Sequence, residues 1–185
     1  MNACIHKIYG ASLCLFTLLA MGACHSKSPQ EGGDAAITFL QNQIGRLDSG
    51  SLTLYTTHNG KEDSAHIPPS DVKSMTAPFL SALSNLSGDS LYKKATIPDS
   101  ANHRLVVSYQ ALSDSTPLNM VDLYIDPDTK SIRKMYLQYV DRQADSSVSK
   151  QLIWETDKSF TLITTIDKNE YTSDLLQQKV VWDKP

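Results

Sequence analysis

Beyond its first 24 residues the sequence has no cysteine: the three in the 185-residue chain are Cys4, Cys14 and Cys24. A domain built from the rest can form no internal disulfide and offers no cysteine nucleophile, so its stability must come from an apolar core. Runs of like charge are also missing. The chain carries 17 Lys and Arg against 20 Asp and Glu, a net charge of −3, with the signs well mixed. That balance argues against nucleic acid and against an anionic membrane face as partners. There is no Gly-x-Ser-x-Gly elbow and no Gly-rich phosphate loop, and no serine lies in a nucleophile context. After residue 21 no apolar stretch is long enough to span a bilayer.

What is present begins at the N-terminus. His6 and Lys7 form a short polar, basic segment. Residues 8–21 are nearly all apolar, among them Leu13, Leu15, Phe16, Leu18 and Leu19. This is the length of an export-signal core and shorter than the roughly 20 residues of a membrane-spanning helix. The run ends in Ala20-Met21-Gly22-Ala23-Cys24, small residues just before a cysteine. This resembles the bacterial lipobox, with Met21 where that motif usually has leucine. Cys4 precedes the apolar run and Cys14 sits within it behind the bulky Leu13, so Cys24 is the expected lipidation site. The competing readings are a plain secretory signal and an uncleaved membrane helix.

On the lipobox reading, residues 1–23 are removed and Cys24 carries the acyl chains, including palmitate. Three chains hold a protein far more firmly than one. Lys7 is the only charge lost. Roughly 160 residues remain, enough for one domain with a real core. His25 follows Cys24, and the first acid is Glu31. With no Asp at the second mature position and no acidic cluster behind the cysteine, the expected location is the outer membrane, facing the periplasm.

Residues 24–33 read as a flexible tether, since His25 to Gly33 has no apolar side chain larger than Pro29. Residues 34–185 read as a single domain. Ile37, Leu40, Ile44 and Leu47 share one helical face, with Asp34 as a cap. Leu52 to Thr57 alternates as a strand, and His58-Asn59-Gly60-Lys61 reads as a turn. A second helix opens near Ser70 or Asp71 with a stripe of Val72, Met75, Phe79, Leu83 and Leu86. Pro78 predicts a kink or a fresh start near Ala77. From Leu91 onward the pattern is β, in seven segments with short links, and short links force antiparallel pairing. The expected fold class is α+β: a strongly curled, half-barrel-like antiparallel β-meander of about 6–8 strands, packed against two helices from the N-terminal half.

Sites for chemistry are few. His58 and His66 flank a polar turn without close ligand spacing, so no metal site is expected. Asp126-Pro127-Asp128-Thr129-Lys130 begins like a calcium loop but has Ser131 and Leu137 at the positions for Gly and Glu. It reads as a hairpin turn. Carboxylate pairs are a three-dimensional matter. Trp154 and Trp182, with Tyr124 and Tyr139, are the candidate ligand-contacting residues, against the alternative that they pack within the sheet. No catalytic residue and no cofactor is expected.

The succession of lipobox, tether, helix, strand ending in Asn59-Gly60-Lys61-Glu62, second helix and strand meander resembles uncharacterised small lipoproteins of Bacteroidota. The hairpin from Val121 to Lys130 followed by Ile132 to Met135 resembles one found in lipoprotein-carrier-like envelope proteins. That likeness implies an apolar cavity between sheet and helices. The expected function is a non-catalytic, lipid-anchored envelope lipoprotein that binds a protein partner or an apolar ligand. The alternatives are a lipid or lipoprotein carrier and an unrecognised hydrolase.

Overall fold

The computed structural model describes residues 33–49, 51–87, 90–143, 145–168 and 173–182. The expected signal segment 1–23, the lipidation site Cys24 and all of the tether but Gly33 lie outside the described residues.

Helix α1 spans Gly33–Gly45 and tightens into a 3₁₀ turn at Arg46–Ser49. Its buried face carries Ala36, Leu40 and Ile44, and Leu47 of the turn continues it. Helix α2 spans Pro69–Leu83 and runs on into a 3₁₀ turn at Ser84–Ser87. Its cap position is Pro68, and no side chain caps it. Proline at the first helical position needs no N–H there and has the φ a helix requires. The helix continues through Pro78, so there is no fresh start. Val72, Phe79, Leu83 and Leu86 are buried, as the stripe predicts.

The strands are β1 (Leu52–His58), β2 (Lys61–Ile67), β3 (Tyr92–Asp99), β4 (Arg104–Ala111), β5 (Leu118–Ile125), β6 (Ile132–Arg142), β7 (Ser146–Glu155), β8 (Ser159–Lys168) and β9 (Ser173–Trp182). They form one antiparallel sheet in the order β2-β1-β9-β8-β7-β6-β5-β4-β3. From β3 to β9 it is the expected meander. The N-terminal hairpin joins beside the last strand, with Leu52 opposite Trp182 and His58 opposite Leu176. The stretch through α2 therefore connects strands at opposite edges of the sheet.

Two expectations are corrected. The described residues form nine strands; the sequence pattern missed β2, KEDSAHI, whose first six residues are exposed. An edge strand with no buried face has no apolar alternation to read. The sheet is also open rather than strongly curled or half-barrel-like. Among the described ladders, register shifts occur only between β5 and β6, near Leu118/Met120 and Tyr124/Ile125. Bulges are the usual device for bending a sheet sharply, and seven of the eight ladders show none.

One face of the sheet packs on the helices. Cross-strand register aligns Val121, Leu137, Leu152 and Leu162 in one row, and Leu123, Met135, Trp154, Phe160 and Val180 in the next. Eight of these nine are at most 3% exposed and Leu162 is 6%. Each large apolar side chain so buried contributes about 1.5–3 kcal/mol.

Candidate functional site

The core is unevenly filled. Under α1, the Trp154 and Phe160 rings stack with centroids 5.1 Å apart, and Trp182 tilts against Trp154 at 5.5 Å. Gln43 of α1 is buried above them. Its Oε1 accepts from Trp154 Nε1 at 3.4 Å and from the Asp157 backbone N–H at 3.1 Å. One amide thus ties the helix to both the aromatic cluster and the β7–β8 turn. Arg46 adds an exposed ion pair to Asp157 at 3.3 Å.

At the other end of the same interlayer the two layers part. A cleft of about 590 Å³ opens between the C-terminal half of α2 and the ends of β3, β5 and β6. The helix side supplies Pro78, Ser81, Ala82, Ser84 and Asn85. The sheet side supplies Leu91, Tyr92, Leu118 and Tyr139, and the β4–β5 loop supplies Ser115, Thr116 and Pro117. Apolar surface therefore alternates with hydroxyls and an amide. Tyr92 is buried, and burial pushes its phenol pKa up, so it stays neutral. Clefts of this size that mix apolar walls with a few polar groups are the usual form of small-ligand sites.

The loop from Leu112 to Pro117 shapes this rim and is held at several points. Leu112 N–H donates to Leu91 O at 2.9 Å, Val140 N–H to Pro117 O at 2.7 Å, and Arg142 reaches the Asp114 carbonyl. Two smaller clefts lie against the same loop, one lined by Asp114, Asn119 and Gln138, the other by Pro117, Asp141 and Arg142. Asn119 Oδ1, buried beside the first, has no hydrogen-bond partner. An orphan buried acceptor is uncommon in native proteins, and here it marks the same rim.

The four aromatic candidates part company. Tyr139 lines the cleft. Trp154 is 0% exposed and Trp182 is buried beside it, so both belong to the packed end. Tyr124 lies on the opposite face of the sheet, with the Arg104 guanidinium 4.7 Å from its ring centre. Arg104 in turn donates through Nε to Asp99 at 2.7 Å. On that face Tyr136 stands across from Asp122; burial first, then the Asp122 charge, raises its phenol pKa. Sequence reading missed Tyr92, Leu118 and Ser81, because the cleft joins segments that lie far apart along the chain. Link length gave no signal: the β4–β5 link has six residues and a proline, and so does the β5–β6 link, which is only a hairpin turn.

Elsewhere polar groups serve turns. Asp126 Oδ1 accepts from the N–H groups of Asp128 and Thr129 at 3.0 and 2.9 Å, and Oδ2 pairs with Arg133. Lys130 takes the positive φ of 57° that closes the hairpin. His58 pairs with Asp174 at 2.7 Å and His103 with Asp128 at 2.9 Å. No three His, Cys, Asp or Glu among the described residues are grouped to hold a metal ion, and no helix among them is long and apolar enough to cross a membrane. No protein-family model, curated protein or solved structure matches the chain.

Proposed function

We propose that the protein is a non-catalytic, lipid-anchored envelope lipoprotein that holds an amphipathic or apolar ligand in the cleft between α2 and the β3–β6 rim. The observation that carries this reading is the cleft itself: about 590 Å³, walled by both layers, at the end of the interlayer away from the buried Trp154, Phe160 and Trp182. Its mixture of Leu91, Leu118 and Pro117 with Ser81, Thr116 and two tyrosines suits a ligand that has an apolar body and a hydrogen-bonding end. The tyrosines are the titratable side chains among its lining residues, which favours binding over acid–base catalysis. A rim site is also favoured over a carrier's enclosed cavity, because Leu40, Phe79 and Trp154 occupy the interior. Cys24 anchors the protein in this reading, in the outer membrane and facing the periplasm.

Native mass spectrometry of the full chain, extracted in detergent from its own membranes, tests the cleft. A co-purifying small molecule should be present in the wild type and lost in Ser81→Trp, which fills the opening. Equal occupancy in both sinks the site. Metabolic labelling with a fatty-acid analogue tests the anchor separately: Cys24→Ala should abolish the label.

A further inference from the structure

The two edges of the sheet differ in kind. The β3 edge carries Pro98, Lys93 and Lys94. Proline has no N–H and is tolerated in an edge strand only where that position faces away from the neighbour. It therefore deletes a donor from the free side, and the lysines resist apposition. The β2 edge has no proline. Lys61 to His66 are all exposed, and among the described residues β1 is the strand's only partner in the sheet.

The free hydrogen-bonding groups of β2 follow from its hairpin. Asn59 and Gly60 have φ of 50° and 77°, the signature of a two-residue type I′ turn, closed by His58 opposite Lys61. In that turn the closing pair exchanges backbone hydrogen bonds. Strand alternation then directs the N–H and C=O groups of Glu62, Ser64 and His66 away from β1. An independent contact agrees: Ser64 N–H donates to the side chain of Asp63 at 2.8 Å, so it is not in the β1 ladder.

We propose that this edge pairs with β2 of a second copy of the chain, antiparallel, with Ser64 opposite Ser64. Only registers that oppose even-numbered residues satisfy the outward groups. Of these, the Ser64-centred one overlaps the whole strand, Lys61 to Ile67. It sets Glu62 opposite His66 twice, Asp63 opposite Ala65 and Lys61 opposite Ile67, with no like charges facing. Centring on Glu62 or Asp63 instead opposes a carboxylate to itself, which destabilises a pair. Centring on Ala65 pushes Glu62 past the strand end to Pro68. Full overlap and the avoidance of facing like charges thus select the same register. The two-fold is perpendicular to the sheet, so both copies keep their helices on one side and the uncovered faces merge into one surface.

Cysteine cross-linking of the full chain in membranes tests the register. Facing residues in a hydrogen-bonded pair have Cα atoms about 5.5 Å apart, within disulfide reach. Ser64→Cys should therefore give a disulfide dimer on mild oxidation. Glu62→Cys, whose counterpart lies four residues along, should remain at the background set by the native cysteines. Cross-linking of both alike, or of neither, overturns the proposal. In detergent, sedimentation should show a wild-type dimer. Asp63→Ala, which releases the Ser64 N–H, should tighten that dimer about tenfold; unchanged or weaker association overturns the Ser64-centred geometry. Ser64→Pro should give a monomer with an unaltered circular-dichroism spectrum, and a Ser64→Pro dimer also refutes the idea.

Discussion

The two halves of the space between helices and sheet are built on the same alternating pattern and end differently. Under α1, Trp154, Phe160 and Trp182 meet a helix whose facing residues are Ala36, Leu40, Gln43 and Ile44. Large rings against modest side chains fill the gap, and Gln43 supplies the acceptor that a buried indole N–H needs. Under the far end of α2, the helix side presents mostly small residues, Ser81, Ala82, Ser84 and Asn85, and the sheet side presents Leu91, Tyr92, Leu118 and Tyr139 at strand ends. The small helix residues leave a gap that the strand-end side chains do not fill, and a cleft remains. A binary apolar pattern places a layer; side-chain size decides whether the layer closes.

The comparison can be broken most forcefully from its closed half. Trp154→Ala should cost about 3–5 kcal/mol, because a fully buried ring is lost and its stacked neighbour Phe160 is left over a void. Urea denaturation of the full chain in detergent reads this directly, and a loss below 1 kcal/mol would mean that end is not close-packed. Gln43→Leu keeps the volume but strands the Trp154 and Asp157 N–H groups, and should cost about 1–3 kcal/mol in the same assay. At the open half the expectation reverses. Ser81→Trp should leave stability within about 0.5 kcal/mol, since it adds bulk to an existing gap. The same variant is the one expected to lose any bound molecule. A large destabilisation there would show that the cleft walls are under packing constraint.

The smallest effects belong to the exposed turns at the sheet's other end, which take part in neither half. The Asp126 carboxyl is held well below its ordinary 3.8 by the Thr129 N–H first and then by Arg133. A folded-state pKa lowered in this way contributes stability above pH 3.8 and loses it as pH falls through the folded value. Asp126→Asn should therefore flatten the acid limb of a thermal-stability profile. The His103 imidazole is raised above 6.5 by its hydrogen bond to Asp128. Its contribution is complete below pH 6.5 and disappears as pH rises through the raised value, so His103→Ala should matter slightly in acid and not at all in base. His103 is exposed and solvent-screened, and Asp126, though half-buried, acts within a surface turn, so an effect of His103→Ala rivalling that of Gln43→Leu would contradict its placement.

Much of this architecture is legible in the chain. The stripes Leu40-Ile44-Leu47 and Val72-Phe79-Leu83-Leu86 are the faces that the core buries. The short links after β5, β6 and β7 yield antiparallel neighbours. Of the site, only Tyr139 was visible beforehand, as one of four aromatics with nothing to separate them. Periodicity reports which face a side chain takes; it does not report what stands across from it.

That boundary also divides the molecule. The sequence alone determines the faces of the helices and strands, the Asn59-Gly60 and Asp126–Lys130 turns, and the absence of any cysteine from the domain, because each depends on residues close together along the chain. It carries, in the same local way, the lipobox expectation at Cys24. Tertiary structure decided the rest. Seating the first hairpin beside β9 made β2 an edge, left the sheet open, and sent α2 across to the far side. The α1 end closed over Trp154 while the α2 end opened at Tyr139, because cavity volume is a sum over residues that meet only after folding.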